Sequence, residues 1–497
     1  MPSVSSYGRK PVSPNHVSEL RKLLQDTSAE LRISTDVDYN RSIARWSKAA
    51  VKPAGLVVVP TTSDEVSIVA KYAAKENLDI AVKGGGHSTA GASSTDGGLL
   101  FDLDKMRTIR VDSEKKLFIV GGGANWGDVD QAAAPYNLAT VGGTVADTGV
   151  GGLTLGGGYG WLSGLYGLSI DVLIQCTVVL ANGDVVTASK QENADLFWAL
   201  RGAGQNFGVA TEFIFQAFDV PPEVYAGLLL FEPTSHNMQG VTEAVNRAYV
   251  INSAGQVKVD GRGCGGIGFM RPPGLDTAMI AVPIIYFGTA EQGQAVYRDF
   301  FDLGPKISTM SMVPYAEINK FLAPPYGLRA SMKGAAFTLP LRLAFVQEIF
   351  GEYQKFVDRN DDAQGSVLIW ELIDTRKVAE FDAGSFANRG THGNSLICPI
   401  WTKPENDAVC REWARYINEK FKKELIDHSD QVVCPSAEVT TIRGRKKATQ
   451  FYGNYDHYDE KSKDIFGDNY EELQALKTRF DPGNMFNKLF AIPPLAN

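Results

Sequence analysis

The spacing of apolar residues predicts a succession of strands and helices in the first half of the chain. The stretch "GLVVVPTTSDEVSIVAKYAAKENLDIAVKGGGH", which starts at residue 55, predicts a strand, a turn, a helix and a second strand. Valines and alanines form the buried stripe of this helix, and Thr62 with Glu65 predicts a capping box at its start. "LIQCTVVLANGDVVTAS" predicts a hairpin that turns at Asn-Gly-Asp, and "ENADLFWALRGAGQNFGVATEFIFQAF" predicts a helix, a glycine loop and a strand.

The pattern changes near residue 220, at "DVPPEV". Beyond it, "LLLFEP", "TAMIAVPIIYFG" and "GSVLIWELID" predict strands, and "LRLAFVQEIFGEYQKFVDR" and "DAVCREWARYINEKFKKEL" predict amphipathic helices. The last part of the chain returns to short motifs such as "FYGNYDHYDE". We therefore expect an α+β protein with a first domain over 1–222, an inserted domain over 223–440, and a tail over 441–497 that packs back on the first domain.

The glycine content indicates a function in addition to the predicted fold. The chain has 50 glycines in 497 residues, and they concentrate at 84–86, 142–167 and 201–208. Each ordered glycine costs about 0.5–1 kcal/mol relative to alanine, so such density indicates a function rather than packing alone. A large flat or phosphorylated ligand lying on the backbone would explain the clusters, because exposed N–H groups can hold a diphosphate.

Charge and cysteine content exclude several classes of protein. The net charge is −8 with no basic stripe, so a nucleic-acid partner is not expected. No apolar run is long enough for a membrane span, and the first residues lack the apolar core of a signal peptide, so we expect a cytoplasmic protein. The five cysteines are scattered, which argues against a disulfide framework and a structural zinc site. No metal site and no oligomeric state is indicated.

The segment "AVKGGGHSTAG", residues 81–91, has two interpretations. His87 could lie against a phosphate-bearing cofactor, or Ser88 could be the nucleophile of a variant G-x-S-x-G elbow. The elbow needs a helix directly after the serine, and "GASSTDGG" is a poor helix former. Walker A and Rossmann glycine motifs are absent, so neither of those nucleotide folds is indicated.

Five motifs, in order, resemble those of one family. They are "PTTSDEVSIVAKYAAKENLDIAVKGGGHS", "GVGGLTLGGGYGWLSGLYGLSIDVL", "DLFWALRGAGQNFGVATEF", "YGNY" and "NYEELQALKTRFDPGNMF". The chain resembles the FAD-linked oxidases of the vanillyl-alcohol-oxidase superfamily, and within it the berberine-bridge-enzyme-like branch. The resemblance implies a two-part FAD-binding domain and an inserted α+β substrate domain, in which helices cover an antiparallel sheet.

The resemblance also implies which residues bind FAD. His87 matches the histidine that is bonded to the 8α-methyl carbon of the flavin. Val145 stands where many relatives have a second linking cysteine, so a single tether is expected. Thr148 stands where the family controls oxygen access with Val or Leu. The full set of expected cofactor-binding residues is Lys83, Gly84, Gly85, Gly86, His87, Ser88, Thr148, Gly149, Gly152, Gly208, Val209, Tyr452 and Asn454.

Two tyrosines are the catalytic residues that the resemblance implies. Tyr455 matches a flavin-facing general base, and Tyr166 matches a tyrosine that assists it. An ordinary tyrosine, with a pKa near 10, is a weak base at neutral pH unless a neighbour stabilises the phenolate.

The inserted domain offers fewer matches. Some plant relatives have a carboxylate where this chain has Asn394 or Ser395, and the nearby His392 is expected at the surface. Trp370 and Glu371 could line the pocket, but only one of them can point inward, because neighbours on a strand face opposite sides.

These observations predict an FAD-dependent oxidoreductase that acts on a small organic metabolite, as in secondary metabolism. As an oxidase, it would remove a hydride from a carbon that bears oxygen or nitrogen, with molecular oxygen as the acceptor. A flavin-dependent dehydrogenase, a non-redox cyclase or isomerase, and a serine hydrolase that uses Ser88 remain as alternatives.

Overall fold

The computed structural model describes residues 8–321, 326–381, 384–428, 451–455 and 459–495. Eleven strands precede residue 222 in this structure: β1 Glu30–Arg32, β2 Leu56–Val59, β3 Ile80–Lys83, β4 Leu99–Asp102, β5 Ile109–Asp112, β6 Leu117–Gly121, β7 Leu138–Ala139, β8 Leu173–Val179, β9 Val185–Ser189, β10 Val209–Gln216 and β11 Phe218–Asp219. The helices of the same region are α1 Pro14–Leu23, α2 Tyr39–Ile43, α3 Ser63–Glu76, α4 Trp126–Ala133, α5 Val150–Leu155, α6 Ser163–Tyr166 and α7 Ala194–Ala203.

These strands form two main sheets. One has the order β1-β2-β4-β3, in which β4 runs parallel to both of its neighbours. The other is antiparallel, with the order β5-β6-β10-β8-β9. The predicted strand–helix–strand of β2, α3 and β3 is confirmed, as are the capping box of Thr62 and Glu65 and the hairpin of β8 and β9. The glycine loop that starts at residue 84 therefore follows directly from β3, and this sheet positions it.

The middle of the chain forms a second layered unit. Its strands are β12 Glu223–Phe231, β13 Gly263–Met270, β14 Met279–Tyr286, β15 Ile307–Ser308, β16 Ser311–Pro314, β17 Arg329–Ala330, β18 Lys333–Phe337, β19 Val367–Leu372, β20 Gly393–Cys398 and β21 Ile400–Trp401. Its helices are α8 Ser235–Tyr249, α9 Ala290–Val296, α10 Arg298–Asp302, α11 Leu343–Arg359, α12 Arg376–Glu380 and α13 Asp407–Asp427.

Eight of these strands form one antiparallel sheet. The order is β15-β12-β14-β13-β19-β20-β18, and β16 also pairs with β12. The long helices α8, α11 and α13 share a hydrophobic core with one face of this sheet. The other face turns toward the first part of the chain, because Val224 and Ala226 belong to the core around Trp126 and Phe213. The prediction of an α+β fold with an inserted, helix-covered antiparallel sheet is confirmed.

The tail packs back on the first part of the chain through α14 Ser462–Phe466 and α15 Tyr470–Phe480. Lys477 on α15 is fully buried, forms an ion pair with Asp481 at 2.6 Å, and donates to the carbonyl oxygen of Asn206. The predicted boundary at 222 stays a prediction, and the one at 440 lies outside the described residues. In the described part of the chain, no helix combines the length and apolar character that a membrane crossing requires.

Candidate active site

A cavity of about 880 Å³ lies between the glycine-rich segments of the first part and the large sheet of the middle part. Most of the predicted cofactor residues line it, namely Gly84, Gly85, Gly86, His87, Ser88, Thr148, Gly149, Gly152, Gly208, Tyr452 and Asn454. Lys83 and Val209 are not among the lining residues. The Lys83 side chain is partly buried and its Nζ donates to Asp102 at 3.2 Å, and Val209 packs in the core with residues of β3 and β4. Both residues therefore support the site from within their strands.

Two glycine loops meet backbone to backbone at the cavity wall. A Cβ added to Gly85 would collide with the backbone nitrogen of Gly149, and a Cβ on Gly149 would collide with that of Gly85. Gly86 has a φ of +75°, a conformation that glycine adopts without strain. By contrast, a Cβ on Gly152 would meet no atom within 4 Å, so this glycine leaves space free. The glycines thus fix the close approach of the loops and keep part of the wall open.

His87 is held on two sides. Its ring stacks on Trp46, with the centroids 5.5 Å apart and the planes at 16°. Its Nε2 lies 3.1 Å from Oδ1 of Asp147, and its Nδ1 lies 3.5 Å from Oγ1 of Thr148. Burial raises the pKa of the Asp147 carboxyl, but the contact with His87 outweighs this effect and leaves it below its usual value. Neither Trp46 nor Asp147 was predicted, since only the fold brings them to the histidine.

The tail contributes a tyrosine cluster to the cavity. The Tyr452 hydroxyl accepts a hydrogen bond from Asn454 Nδ2 at 2.9 Å, and burial raises the pKa of Tyr452 to about 12. Asn454 also donates to the carbonyl oxygen of Leu153 at 2.8 Å, which fixes the tail against α5. The ring of Tyr455 packs edge-on against Tyr452, with the centroids 5.0 Å apart.

Tyr455 and Glu371 form the central pair of the site. The Tyr455 hydroxyl donates to Glu371 Oε1 at 2.5 Å, and both residues line the cavity. Burial raises the pKa of Glu371 to about 7. Burial and the neighbouring Glu371 raise the pKa of Tyr455 well above its ordinary value. In this pair the Glu371 side chain accepts a hydrogen bond from a neutral tyrosine, so Tyr455 is not a phenolate that acts alone.

The strand β19 explains why Glu371 faces the cavity. Trp370 is fully buried in the core shared with the helices, so its neighbour Glu371 points to the opposite side of the sheet. The alternation was predicted, but the sequence did not show which residue points inward. Asn394 and His392 are buried rather than exposed, which corrects the expected surface position of His392. Burial lowers the pKa of His392 to about 4, so its ring is neutral.

Tyr166 is not brought to the cavity. Its ring stacks on Phe218 with the centroids 3.7 Å apart, at the end of the short helix α6. The expected role beside Tyr455 is therefore corrected: the turn after α5 directs Tyr159 into the cavity instead. The Tyr159 hydroxyl donates to Asn388 at 2.9 Å, and its ring packs edge-on against Tyr452.

The serine-hydrolase alternative lacks its structural requirement. A nucleophile elbow places the serine at the start of a helix. The described residues 84–98 contain no helix, and Ser88 Oγ instead accepts a hydrogen bond from the backbone nitrogen of Ala92 at 3.2 Å. This geometry does not activate Ser88 as a nucleophile.

The residues present fit an FAD. Backbone nitrogens of converging glycine loops can hold a diphosphate, and Gly152 leaves room where a side chain would fill the wall. Among the described residues, His87 Nε2 is buried without an aligned hydrogen-bond partner, in a ring that lines the cavity. The cavity is also within the usual range for cofactor sites, about 300–1,000 Å³.

Comparison with known families supports the same cofactor. Residues 54–189 match the model of the FAD binding domain, and residues 451–493 match the model described as berberine and berberine like. The FAD-linked oxidoreductase pgmH of Aspergillus terreus is 31% identical over 492 residues, which covers 96% of each chain.

Solved structures give the same fold. The 6-hydroxy-D-nicotine oxidase of Arthrobacter nicotinovorans superposes with a TM-score of 0.78 at 23% identity, over 94% of this chain and 98% of that one. The glucooligosaccharide oxidase of Acremonium strictum, which has a 6-S-cysteinyl, 8α-N1-histidyl FAD, gives a TM-score of 0.74 at 21% identity, over 96% and 100%. The chain belongs to the FAD-linked oxidoreductases of the vanillyl-alcohol-oxidase superfamily, in the berberine-bridge-enzyme-like branch.

Proposed function

We propose that the protein oxidises a carbon that bears a hydroxyl or amino group in a small organic metabolite, with oxygen as the final acceptor. The observation that carries this proposal is the Tyr455–Glu371 hydrogen bond in the wall of the FAD cavity. Removing a hydride from such a carbon requires that a proton leave the attached oxygen or nitrogen. The pair supplies an acceptor for that proton.

A bound flavin would supply the redox chemistry, as acceptor of a hydride from the substrate carbon and as donor of electrons to oxygen. The residues of the chain would position the flavin. The backbone of Gly84, Gly85 and Gly149 would hold its diphosphate, and His87 would anchor its ring system. Tyr159 packs against Tyr452, and Tyr452 packs against Tyr455, which fixes the position of the catalytic hydroxyl.

Two protons move at the same time, one onto Tyr455 and one from Tyr455 to Glu371. The substrate hydroxyl or amine gives its proton to Tyr455 Oη while Tyr455 gives its own proton to Glu371 Oε1. The neutral tyrosine is therefore never required to ionise, which its raised pKa would oppose. Glu371 must be ionised at the start, and it ends the step protonated.

We further propose that His87 forms the single covalent bond to the flavin. The stacked Trp46 and the contact with Asp147 restrict the ring before any link forms. The doubly linked glucooligosaccharide oxidase provides the precedent for a histidyl bond. Its cysteinyl bond has no counterpart at Val145, because valine has no sulfur.

Two measurements on the purified yellow protein test the proposal. Acid precipitation should leave the colour on the pellet, and a peptide containing His87 should gain the mass of one FAD. Substrate added without oxygen should bleach the flavin, and admitted air should restore the colour with one hydrogen peroxide per substrate. A flavin that is bleached but not restored by air would overturn the oxidase, and a colourless pellet would overturn the covalent bond.

A further inference from the structure

The face of the large sheet that borders the cavity is almost entirely apolar. Ile369 and Glu371 on β19, and Ile373 directly after it, line the cavity, while Trp370 faces the helices behind the sheet. Glu371 is thus an isolated acid within a row of branched aliphatic side chains. This row lies opposite the part of the cavity that the glycine loops form.

The neighbouring strands continue the same surface. Leu396 on β20 pairs with Ile369 on one side, and Gly268 on β13 pairs with it on the other. Pro283 on β14 also lines the cavity. Gly268 places no side chain beside Ile369, so the wall is flat at this point. Leu396 joins a further apolar cluster with Met332 and Trp46, which carries the surface toward His87.

Few side chains of the middle unit can form hydrogen bonds with a ligand. Among the described lining residues between 223 and 428, Glu371, Arg271 and Cys398 carry ionisable side chains, and none carries a hydroxyl or an amide. The guanidinium of Arg271 is 2.6 Å from Asp358 on α11, which packs on the far face of the sheet. Burial raises the pKa of the Cys398 thiol to about 12, so it remains a weak neutral donor. Glu371 is the strong polar group of this wall, and Tyr455 already binds it.

This apolar wall favours an aromatic substrate and disfavours a sugar. A buried hydroxyl without a hydrogen-bond partner is unfavourable, and a sugar would bring several such groups against the aliphatic row. The binding of an aromatic ring would instead be favoured, because its apolar surface would be removed from water. A single substrate hydroxyl next to Tyr455 would have a hydrogen-bond partner there.

We propose that the substrate is a flat aromatic or polycyclic alcohol with its reacting hydroxyl at Tyr455, and that oligosaccharides are excluded. This inference rests on the proposed function. The carbinol carbon loses a hydride and its oxygen loses a proton, which gives a carbonyl product. Oxygen receives the two electrons and two protons and leaves as hydrogen peroxide.

The test compares two ligands on the flavin-loaded enzyme. 2-Naphthylmethanol and cellobiose are titrated while the visible flavin spectrum is recorded without oxygen. The naphthyl alcohol should perturb or bleach the spectrum at a concentration at least ~10-fold lower than cellobiose, by the preference of an apolar site for an apolar ligand. Tighter or equal binding of cellobiose would overturn the proposal, as would a spectrum that neither compound changes.

The two proposals fail in different ways. If the naphthyl alcohol perturbs the spectrum but the flavin is never reduced, the ligand class stands and the proposed oxidation falls. If cellobiose bleaches the flavin and the naphthyl alcohol does not, the oxidation stands and the ligand class falls.

A variant of the wall gives a second readout. Ile369→Asn places an amide in the aliphatic row and should weaken binding of 2-naphthylmethanol by about 10-fold. Ile369→Leu should retain binding, and Val409→Asn on the exposed side of α13 serves as the control for a polar substitution. If Ile369→Asn does not load flavin, Leu396→Gln tests the same surface from the adjacent strand. Unchanged affinity in a loaded variant would contradict the assignment.

Discussion

At the scale of single residues, the chemistry depends on which group holds the proton. Tyr455 hydrogen-bonds a carboxylate that burial has made a weaker acid, with a pKa of about 7. The carboxylate is needed in its ionised form, so the active fraction increases as pH rises through that value. We therefore expect kcat/KM to fall on the acid side of neutrality.

The substitution Glu371→Gln should remove this proton acceptor while keeping the shape of the side chain. kcat/KM should fall by about 10²–10⁴-fold, the usual contribution of a general base, and the acid-side decline should disappear. The measurement is a pH profile of peroxide formation at matched flavin content. Glu380→Gln, at an exposed end of α12 where the carboxylate pairs with Lys377 at 2.8 Å, is the matched control. A Glu371→Gln enzyme with the original pH profile would exclude this role.

Asp147 belongs to the same scale, because its carboxylate contacts the histidine that we expect to carry the flavin. Asp147→Asn should slow formation of the covalent bond by about 10-fold, the order seen when a carboxylate that orients a functional histidine is removed. The readout is the fraction of His87 peptide that carries FAD against time after FAD is added to apoprotein. Asp184→Asn, in the exposed hairpin turn, should change nothing. Equal rates in the wild-type and Asp147→Asn proteins would show that the contact has no such role.

At the scale of elements, two glycine loops form the cofactor wall by touching each other. Gly85→Ala should force them apart and lower the flavin content several-fold, because its Cβ would collide with the backbone of Gly149. Gly351→Ala is a matched control on α11, where a Cβ meets nothing within 4 Å. This control should raise the free energy of unfolding by about 0.5–1 kcal/mol, since alanine favours a helix over glycine. Absorbance at the flavin band and denaturant unfolding provide the two measurements. Full flavin content in Gly85→Ala would contradict the close packing of the loops.

The elements were more predictable than the site. The β2–α3–β3 unit follows from local apolar spacing and its capping box, and the β8–β9 hairpin follows from its turn residues. The partnership of Glu371 and Tyr455 joins residues 84 positions apart, and no local pattern encodes it. Tyr159 and Tyr166 lie in one glycine-rich segment, and only the direction of its turns determines which tyrosine reaches the cavity. Family resemblance therefore located the site, while long-range packing determined its working geometry.

At the scale of the whole molecule, a buried lysine of the tail links it to the first part of the chain through the carbonyl oxygen of Asn206. Lys477 and Asp481 have no exposed side-chain surface, and Lys477 also donates to Asn206 and Phe486 carbonyls. Lys477→Met should lower the free energy of unfolding by about 3–5 kcal/mol, because it leaves Asp481 buried without its cation. Denaturant unfolding measures this loss.

The matched control lies two residues away on the same helix. Arg479 pairs with Asp195 at the surface, so Arg479→Met should cost less than about 1 kcal/mol. Similar losses for the two variants would mean that the buried Lys477 contributes no more to stability than a lysine or arginine paired at the surface.

The return of the tail has a consequence for synthesis of the protein. His87 is made early, Glu371 later, and Tyr455 only when the last tenth of the chain leaves the ribosome. A nascent or truncated chain that ends before residue 451 has no tyrosine to connect a substrate with Glu371. When such a chain is loaded with FAD and given substrate, we therefore expect it to form far less peroxide than a chain that includes Tyr455.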